Sequence, residues 1–311
     1  MSGRQARPDR RRPAAPADLI PLQYQAQMLL DEHRMAAFRA AITEVVRAGM
    51  HVLDLGAGTG VLSYFAAQQG AYVTAVEQDP GVFRVARAAL ADAVGDRVRV
   101  VHADAHNYLP DEPVDVVICE MLHVGQLRER QIDVVAGFQR RYLERFGPPA
   151  PRFMPAACVQ AVQPVQQDFT FHGYPVPVPI FQHAFSIQPR TIELAAPQVF
   201  QQFFYADPLP ATCAADLAVT MDRGGQLNAI RIVTKNLLAV RLRPPASVDW
   251  LMGYLIVPLR RPLCVDAHSR VRIRFEYHPG DEIDALMGNA QATALPPAGP
   301  AGGHPPVRTT A

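Results

Sequence analysis

A chain of 311 residues, 49% of them hydrophobic, is long enough to bury a real core and to hold two domains. Its net charge of +1 argues against attachment to nucleic acid or to a membrane by bulk charge. Cys119, Cys158, Cys213 and Cys264 form no CxxC pair and no metal-ligand spacing. There is also no apolar run of 18 residues and no signal peptide, so a soluble cytoplasmic protein with free thiols and no metal is expected.

Residues 1–18 open with MSGRQARPDRRRPAAP, five arginines among proline and alanine, and are expected to form a disordered tail. Of the 30 basic residues Lys235 is the only lysine, so 29 are arginines, a skew that fits a GC-rich genome better than a function. Residues 23–48 predict one helix, because Met28, Leu29, Met35, Phe38, Ile42, Val45 and Val46 recur at helical spacing before Gly49. Within it Arg34 has two readings of equal weight, a partner for a cofactor carboxylate or a surface charge.

His51–Gly60, HVLDLGAGTG, is the organising stretch. Val52, Leu53 and Leu55 read as a strand buried on both faces, which Asp54 closes. Gly56, Gly58 and Gly60 then turn the chain into a helix over 61–67. The spacing is GxGxG, and Val61 stands where a dinucleotide fingerprint needs glycine. Tyr72–Val76 reads as a second strand, ended by Glu77, whose carboxylate can accept from both hydroxyls of a ribose. This is the pattern of an S-adenosylmethionine (AdoMet) site in a class I methyltransferase. Pro80–Val94 predicts a helix, Arg97–Val101 a strand whose exit loop carries Asp104 toward an adenine, and Val114–Cys119 a fourth strand. Such units build a doubly wound parallel sheet with the ligand beyond the carboxyl ends of its strands, where Gly56–Gly60, Glu77, Asp104 and Glu120 all fall.

Cys119–Arg130, CEMLHVGQLRER, follows that fourth strand. Glu120 and Glu129 are nine apart, with Gly125 between them to let the chain double back. Two carboxylates facing one pocket beside a sulfonium suit a cationic acceptor such as a guanidinium, which pairs bidentately with carboxylates. The alternative makes Glu129 part of the charged start of the next helix.

From Pro151 prolines become frequent and strand-like runs replace helical spacing: Cys158–Val162, Leu217–Met221, Ala229–Thr234, Leu237–Leu242, Tyr254–Val257 and Val271–Tyr277. Asp222–Gly225 has hairpin-turn composition, and the prolines of 173–180 predict an extended surface bridge. The expectation is an α/β + β chain: an AdoMet-binding class I (Rossmann-like) domain over 19–150, an antiparallel β-barrel-like domain over 151–288, and a disordered tail over 289–311.

MLLDEHR at 28–34, VLDLGAGTG at 52–60, VEQD at 76–79, the two-glutamate loop at 120–129, the strands over 216–240 and VDWLMGYLIVPL at 248–259 together resemble the protein arginine N-methyltransferases. The chain is identified on these motifs as a divergent, bacterial member. The resemblance implies that Glu120 and Glu129 clamp a guanidinium while Arg34 binds the cofactor carboxylate and Glu77 its ribose. It also implies that Met28 packs near the reacting centre and that Trp250 walls the substrate pocket. Three departures stand out. No aromatic motif lies near Ala15–Leu19 to close over the cofactor. Asp249 replaces the histidine of the family's Thr-His-Trp loop, which sets two carboxylates, Asp31 and Asp249, against each other unless a proton or a cation intervenes. The helical dimerisation arm is reduced to the proline-rich stretch around 168–190.

The implied function is methyl transfer from AdoMet to an arginine guanidinium in a protein, a peptide or free arginine, by a chain that can form a homodimer. The alternatives are a class I methyltransferase acting on O or N of a small natural product, and a cofactor-binding scaffold.

Overall fold

The computed structural model describes residues 22–296 except Arg243, so the tail expected over 1–18 lies outside the described residues. The single helix expected over 23–48 is two, α1 (Leu22–Leu30) and α2 (Glu32–Val45). Asp31 causes the break: its backbone is extended and its side chain accepts from the Arg34 amide at 3.0 Å, capping α2. The change of axis takes Leu29 and Leu30 out of the apolar stripe and leaves them exposed.

Next come β1 (His51–Leu55), α3 (Val61–Gln68), β2 (Tyr72–Glu77), α4 (Pro80–Val94), β3 (Val98–His102), β4 (Val116–Cys119), α5 (Gln131–Phe146) and β5 (Arg152–Met154). The strands form one parallel sheet in the order β3-β2-β1-β4-β5. Its centre is β1, paired to β2 (Val52↔Val73) and to β4 (Val52↔Val116), which explains the continuous apolar runs in β1 and β4. β5 lies parallel to β4, so this sheet ends at Met154, past the boundary expected at residue 150.

The remainder is β6 (Ala157–Gln167), β7 (Thr170–Phe171), β8 (Tyr174–Pro175), β9 (Ile180–Gln182), β10 (Thr191–Glu193), β11 (Gln198–Phe204), β12 (Cys213–Thr220), β13 (Gly225–Leu242), β14 (Pro245–Leu251), β15 (Tyr254–Val265), β16 (Arg270–Tyr277), α6 (Ile283–Asn289) and β17 (Gln291–Leu295). These strands make the antiparallel, barrel-like half. A seven-stranded sheet runs β10-β6-β13-β15-β9 with β11 on β6 and β14 on β13, beside a three-stranded sheet β12-β16-β17.

Four expectations change here. The two strands expected over 229–242 are one, β13, bent by register shifts rather than broken by a turn. Asp222–Gly225 does not close a hairpin, because β12 pairs with β16 and the turn carries the chain between sheets. The surface bridge over 173–180 instead contributes β8, which pairs with β7, and the start of the edge strand β9. The tail expected from 289 begins with β17, held on β16 by backbone pairing that its Ala-rich composition does not announce.

One apolar cluster runs from Leu55 and Val117 through Leu127 and Phe138 into Ile232 and Tyr277. A second joins Phe38 and Ile42 of α2 to Trp250 of β14. The two halves therefore share a core, and the candidate site lies along that seam.

Candidate active site

The cofactor side is built by the parallel sheet. Gly56, Gly58 and Gly60 take φ of +72°, +55° and +85°, a left-handed path that only glycine follows without strain. The Gly56 and Ala57 amides donate to the Val76 carbonyl, and the Gly58 amide donates to Glu77 Oε2 at 2.9 Å. Glu77 Oε1 accepts from the Asp79 amide at 2.7 Å, so this carboxylate is fixed at the mouth of the turn. Its burial pushes its pKa up. Asp54 does not line the cradle: it is buried beneath it, accepting from Ser63 Oγ at 2.6 Å, and burial pushes it up to about 7. Asp104 sits at the end of β3 as expected, but its oxygens close its own loop on the His106 amide and on Asn107 Nδ2, both at 2.9 Å. Gln25 of α1, which the sequence reading did not single out, is buried against Gly58, and half-buried Met28 stands one turn further along α1.

The other side is the loop after β4. Gly125 (φ +75°), Gln126 (+56°) and Arg128 (+60°) all take left-handed backbone, so the chain does double back. Two non-glycine residues in that region mark a loop held against its own preference. What holds it comes from the antiparallel half. The Gly125 amide donates to Thr234 Oγ1 at 2.8 Å, and Tyr277 Oη donates to the Gly125 carbonyl at 2.6 Å. The Gly280 amide donates to the Gln126 carbonyl and the Arg128 amide to that of Asp281, both at 2.8 Å. Gln126 Nε2 reaches Cys158 Sγ and Tyr205 Oη, and Tyr205 in turn donates to Gln131 at 2.6 Å.

This fold-back brings the two glutamates into electrostatic contact. Burial first, and then the charge of Glu120, pushes Glu129 up to about 7. Glu120 is ion-paired with Arg34 of α2, and burial still pushes its pKa up. Arg34 is buried, not a surface charge; its guanidinium lies 4.8 Å from the Trp250 ring centroid. Trp250 packs edge-on against Phe38 and lies on the strand β14, not on a loop. With both glutamates ionised and Arg34 charged, the cluster carries one net negative charge, room for one more cation. Burial dominates Glu129, so its charge depends strongly on what lies beside it.

The conflict expected between Asp31 and Asp249 is relieved by giving each its own partner. Asp31 caps α2, and Asp249 pairs with Lys235, the single lysine, at 3.2 Å.

The residues fit AdoMet. The cradle at Gly58 has no room for a side chain, Glu77 stands at the end of β2, and the buried Arg34 Nε has no hydrogen-bond partner among the described residues.

Comparison with known proteins agrees. Residues 52–143 match the family described as "Methyltransferase domain". An uncharacterized protein of Methanothermobacter thermautotrophicus is 30% identical over 263 residues, 85% of this chain and 95% of that protein. The rice protein arginine N-methyltransferase PRMT10 is 35% identical over 129 residues, 40% of this chain and 34% of the rice protein. Among solved structures, the Trypanosoma brucei PRMT1 enzyme–prozyme complex with AdoHcy superposes with a TM-score of 0.65. It does so at 19% identity over 81% of this chain and 86% of that one. The chain is thus an AdoMet-dependent methyltransferase of one family with the archaeal protein, similar to protein arginine N-methyltransferases in the sequence of its cofactor half and in fold.

Proposed function

We propose that this chain methylates an arginine guanidinium, in a protein, a peptide or free arginine. What supports the reading is the doubling back of the loop between Glu120 and Glu129, with Glu129 buried within the field of Glu120 and Arg34, a cluster of one net negative charge when both glutamates are ionised. A guanidinium is planar, always charged and matched to carboxylates.

In this reading Gly56, Gly58, Gly60 and Glu77 hold the cofactor's nucleoside end, and Arg34 Nε holds its carboxylate. Asp54 shapes the turn from below, Asp104 borders the adenine, and Met28 covers the reacting centre. Bound AdoMet supplies an electrophilic methyl group on a sulfonium. Glu120 and Glu129 hold the guanidinium and draw its positive charge toward the nitrogens they touch. The remaining terminal nitrogen keeps more of its lone pair and is fixed in line for attack. Its proton leaves after methyl transfer, so neither glutamate has to be a strong base. Trp250 walls the pocket.

The domains in this reading are a cofactor half ending at Met154 and a substrate half from there to Leu295. The cytoplasm, where AdoMet and reduced thiols coexist, is the proposed location. A homodimer also belongs to it: the reduced arm carries Phe185 and Ile187 exposed, Ile187 at 92%. Light scattering tests this, and a monomer at working concentration would remove the dimer.

The experiment for the activity is methyl transfer from radiolabelled AdoMet to free arginine, an arginine–glycine peptide and a host-cell lysate side by side, with mass analysis. Label on arginine is expected in at least one sample. Bound AdoMet with no arginine labelled anywhere would overturn the guanidinium reading in favour of another small-molecule acceptor.

A further inference from the structure

Asn236 is completely buried in β13, yet neither its Oδ1 nor its Nδ2 has a hydrogen-bond partner among the described residues. Buried carboxamides are nearly always satisfied, so such an amide needs an explanation. Its position supplies one. Asn236 lies directly across from Trp250 of β14 and, on the other side, from Cys158 of β6. Directly opposed residues of an antiparallel pair share a face, with Cβ atoms about 5 Å apart. Cys158, Asn236 and Trp250 therefore form a row across three strands.

Both ends of that row touch the candidate site. Cys158 meets Gln126 of the two-glutamate loop, and the Trp250 ring carries the Arg34 guanidinium that pairs with Glu120. One step along the same face of β13, Thr234 holds the Gly125 amide. Lys235, between them in sequence, points the other way and pairs with Asp249 outside. Asn236 thus stands between a residue that meets the two-glutamate loop and one that meets Arg34, with its own hydrogen-bonding groups unspent.

We propose that Asn236 is a specificity-determining residue of the substrate pocket, its Oδ1 accepting a hydrogen bond from an N–H of the guanidinium held by Glu120 and Glu129. This rests on the guanidinium reading above. A neutral acceptor adds a directed contact without a third negative charge in a cluster where Glu129 is already hard to ionise. It also requires an N–H at that point, which a plain cationic amine of different shape would not place there.

The test compares Asn236→Leu, of the same branched shape but bulkier and unable to hydrogen-bond, with the unaltered enzyme on its best guanidinium acceptor. The acceptor KM is expected to rise at least tenfold while the Kd for AdoMet stays within twofold. The melting temperature reports separately whether the bulkier side chain strains the core, against the gain from removing an unsatisfied buried amide. Asn236→Ala serves the same purpose if the leucine variant does not fold. An unchanged acceptor KM in either folded variant overturns the proposal, as does an equal loss of AdoMet affinity, which would mark a structural role. Should the unaltered enzyme methylate no guanidinium at all, the functional reading fails first, and the two failures are told apart.

Discussion

The two sides of the pocket are made by opposite means. The cofactor side is local: the turn at 56–60, the carboxylate of Glu77 and the amides they share lie within about one βαβ unit. The substrate side is assembled at long range. Gly125 is held by Thr234, 109 residues later, and by Tyr277, 152 residues later. A cofactor common to many chemistries can be bound by a portable turn, whereas a loop that must bring two like charges together needs an outside frame to hold it. The antiparallel half is therefore the frame of the two-glutamate loop and, in the proposed reading, also a rim for the acceptor.

The sharpest way to break this contrast is Glu129→Gln, which leaves the cofactor turn untouched and removes one arm of the clamp. Turnover should fall at least a hundredfold, about 2.7 kcal/mol of transition-state stabilisation, with AdoMet affinity retained. Near-normal turnover in steady-state kinetics would return Glu129 to the structural role of a charged residue ahead of α5.

Gly58→Ala should break the other side. Its φ of +55° disfavours a side chain, and an added Cβ would meet Gln25 Oε1 at 2.6 Å, in the cradle itself. Equilibrium binding should show AdoMet held at least tenfold more weakly, about 1.4 kcal/mol, with the acceptor KM little changed. An equal loss for both ligands would mean that the two sides are not separable.

The same contrast explains what could be read from the chain. The GxGxG turn, Glu77 and the bounds of α4 follow from residues within a few positions of one another, and Asp79 caps α4 with Pro80 behind it. The nine-residue spacing of Glu120 and Glu129 was legible, as was the need for Gly125 to reverse the chain. Thr234, Tyr277 and Asp281 were not, because nothing near the loop in sequence points to partners a hundred or more residues away. Asp54 and Asp104 were visible as carboxylates at strand ends, but not their engagement by Ser63 and by Asp104's own loop. Asn236 did leave a trace. Beside it Lys235 is exposed, so Thr234 and Asn236 are polar residues at the inward positions of a stretch whose other inward neighbours, Ile230 and Ile232, are apolar.

Thr234→Val probes the frame directly. It strips the Gly125 amide and Gln160 Oε1 of a buried partner, which costs about 1–3 kcal/mol in denaturant unfolding. Turnover should drop about fivefold, near 1 kcal/mol, as the loop loosens, while AdoMet affinity stays the same. If AdoMet binding falls in step, the frame supports both sides and the contrast is weaker than drawn.

The remaining contrast is in pH, and it carries its own control. Glu129 sits at about 7 in the folded chain against 4.5 as its ordinary value, so the folded state holds a proton that the unfolded state has released. The stability this contributes is complete below pH 4.5 and is lost as pH rises toward 7. A shift of that size corresponds to on the order of 3 kcal/mol. Other carboxylates titrate over the same range, so the readout is a difference: Glu129→Gln should gain stability over the unaltered chain as pH rises from 5 to 8. A difference that stays flat would mean that Glu129 is solvated in the free enzyme and that no charge is held in reserve for the guanidinium. Activity should run the opposite way, with kcat/KM for the acceptor rising through pH 7 as the clamp ionises. Both outcomes together would make the carboxylate that costs the fold stability the one the proposed cation needs, stability given up for binding.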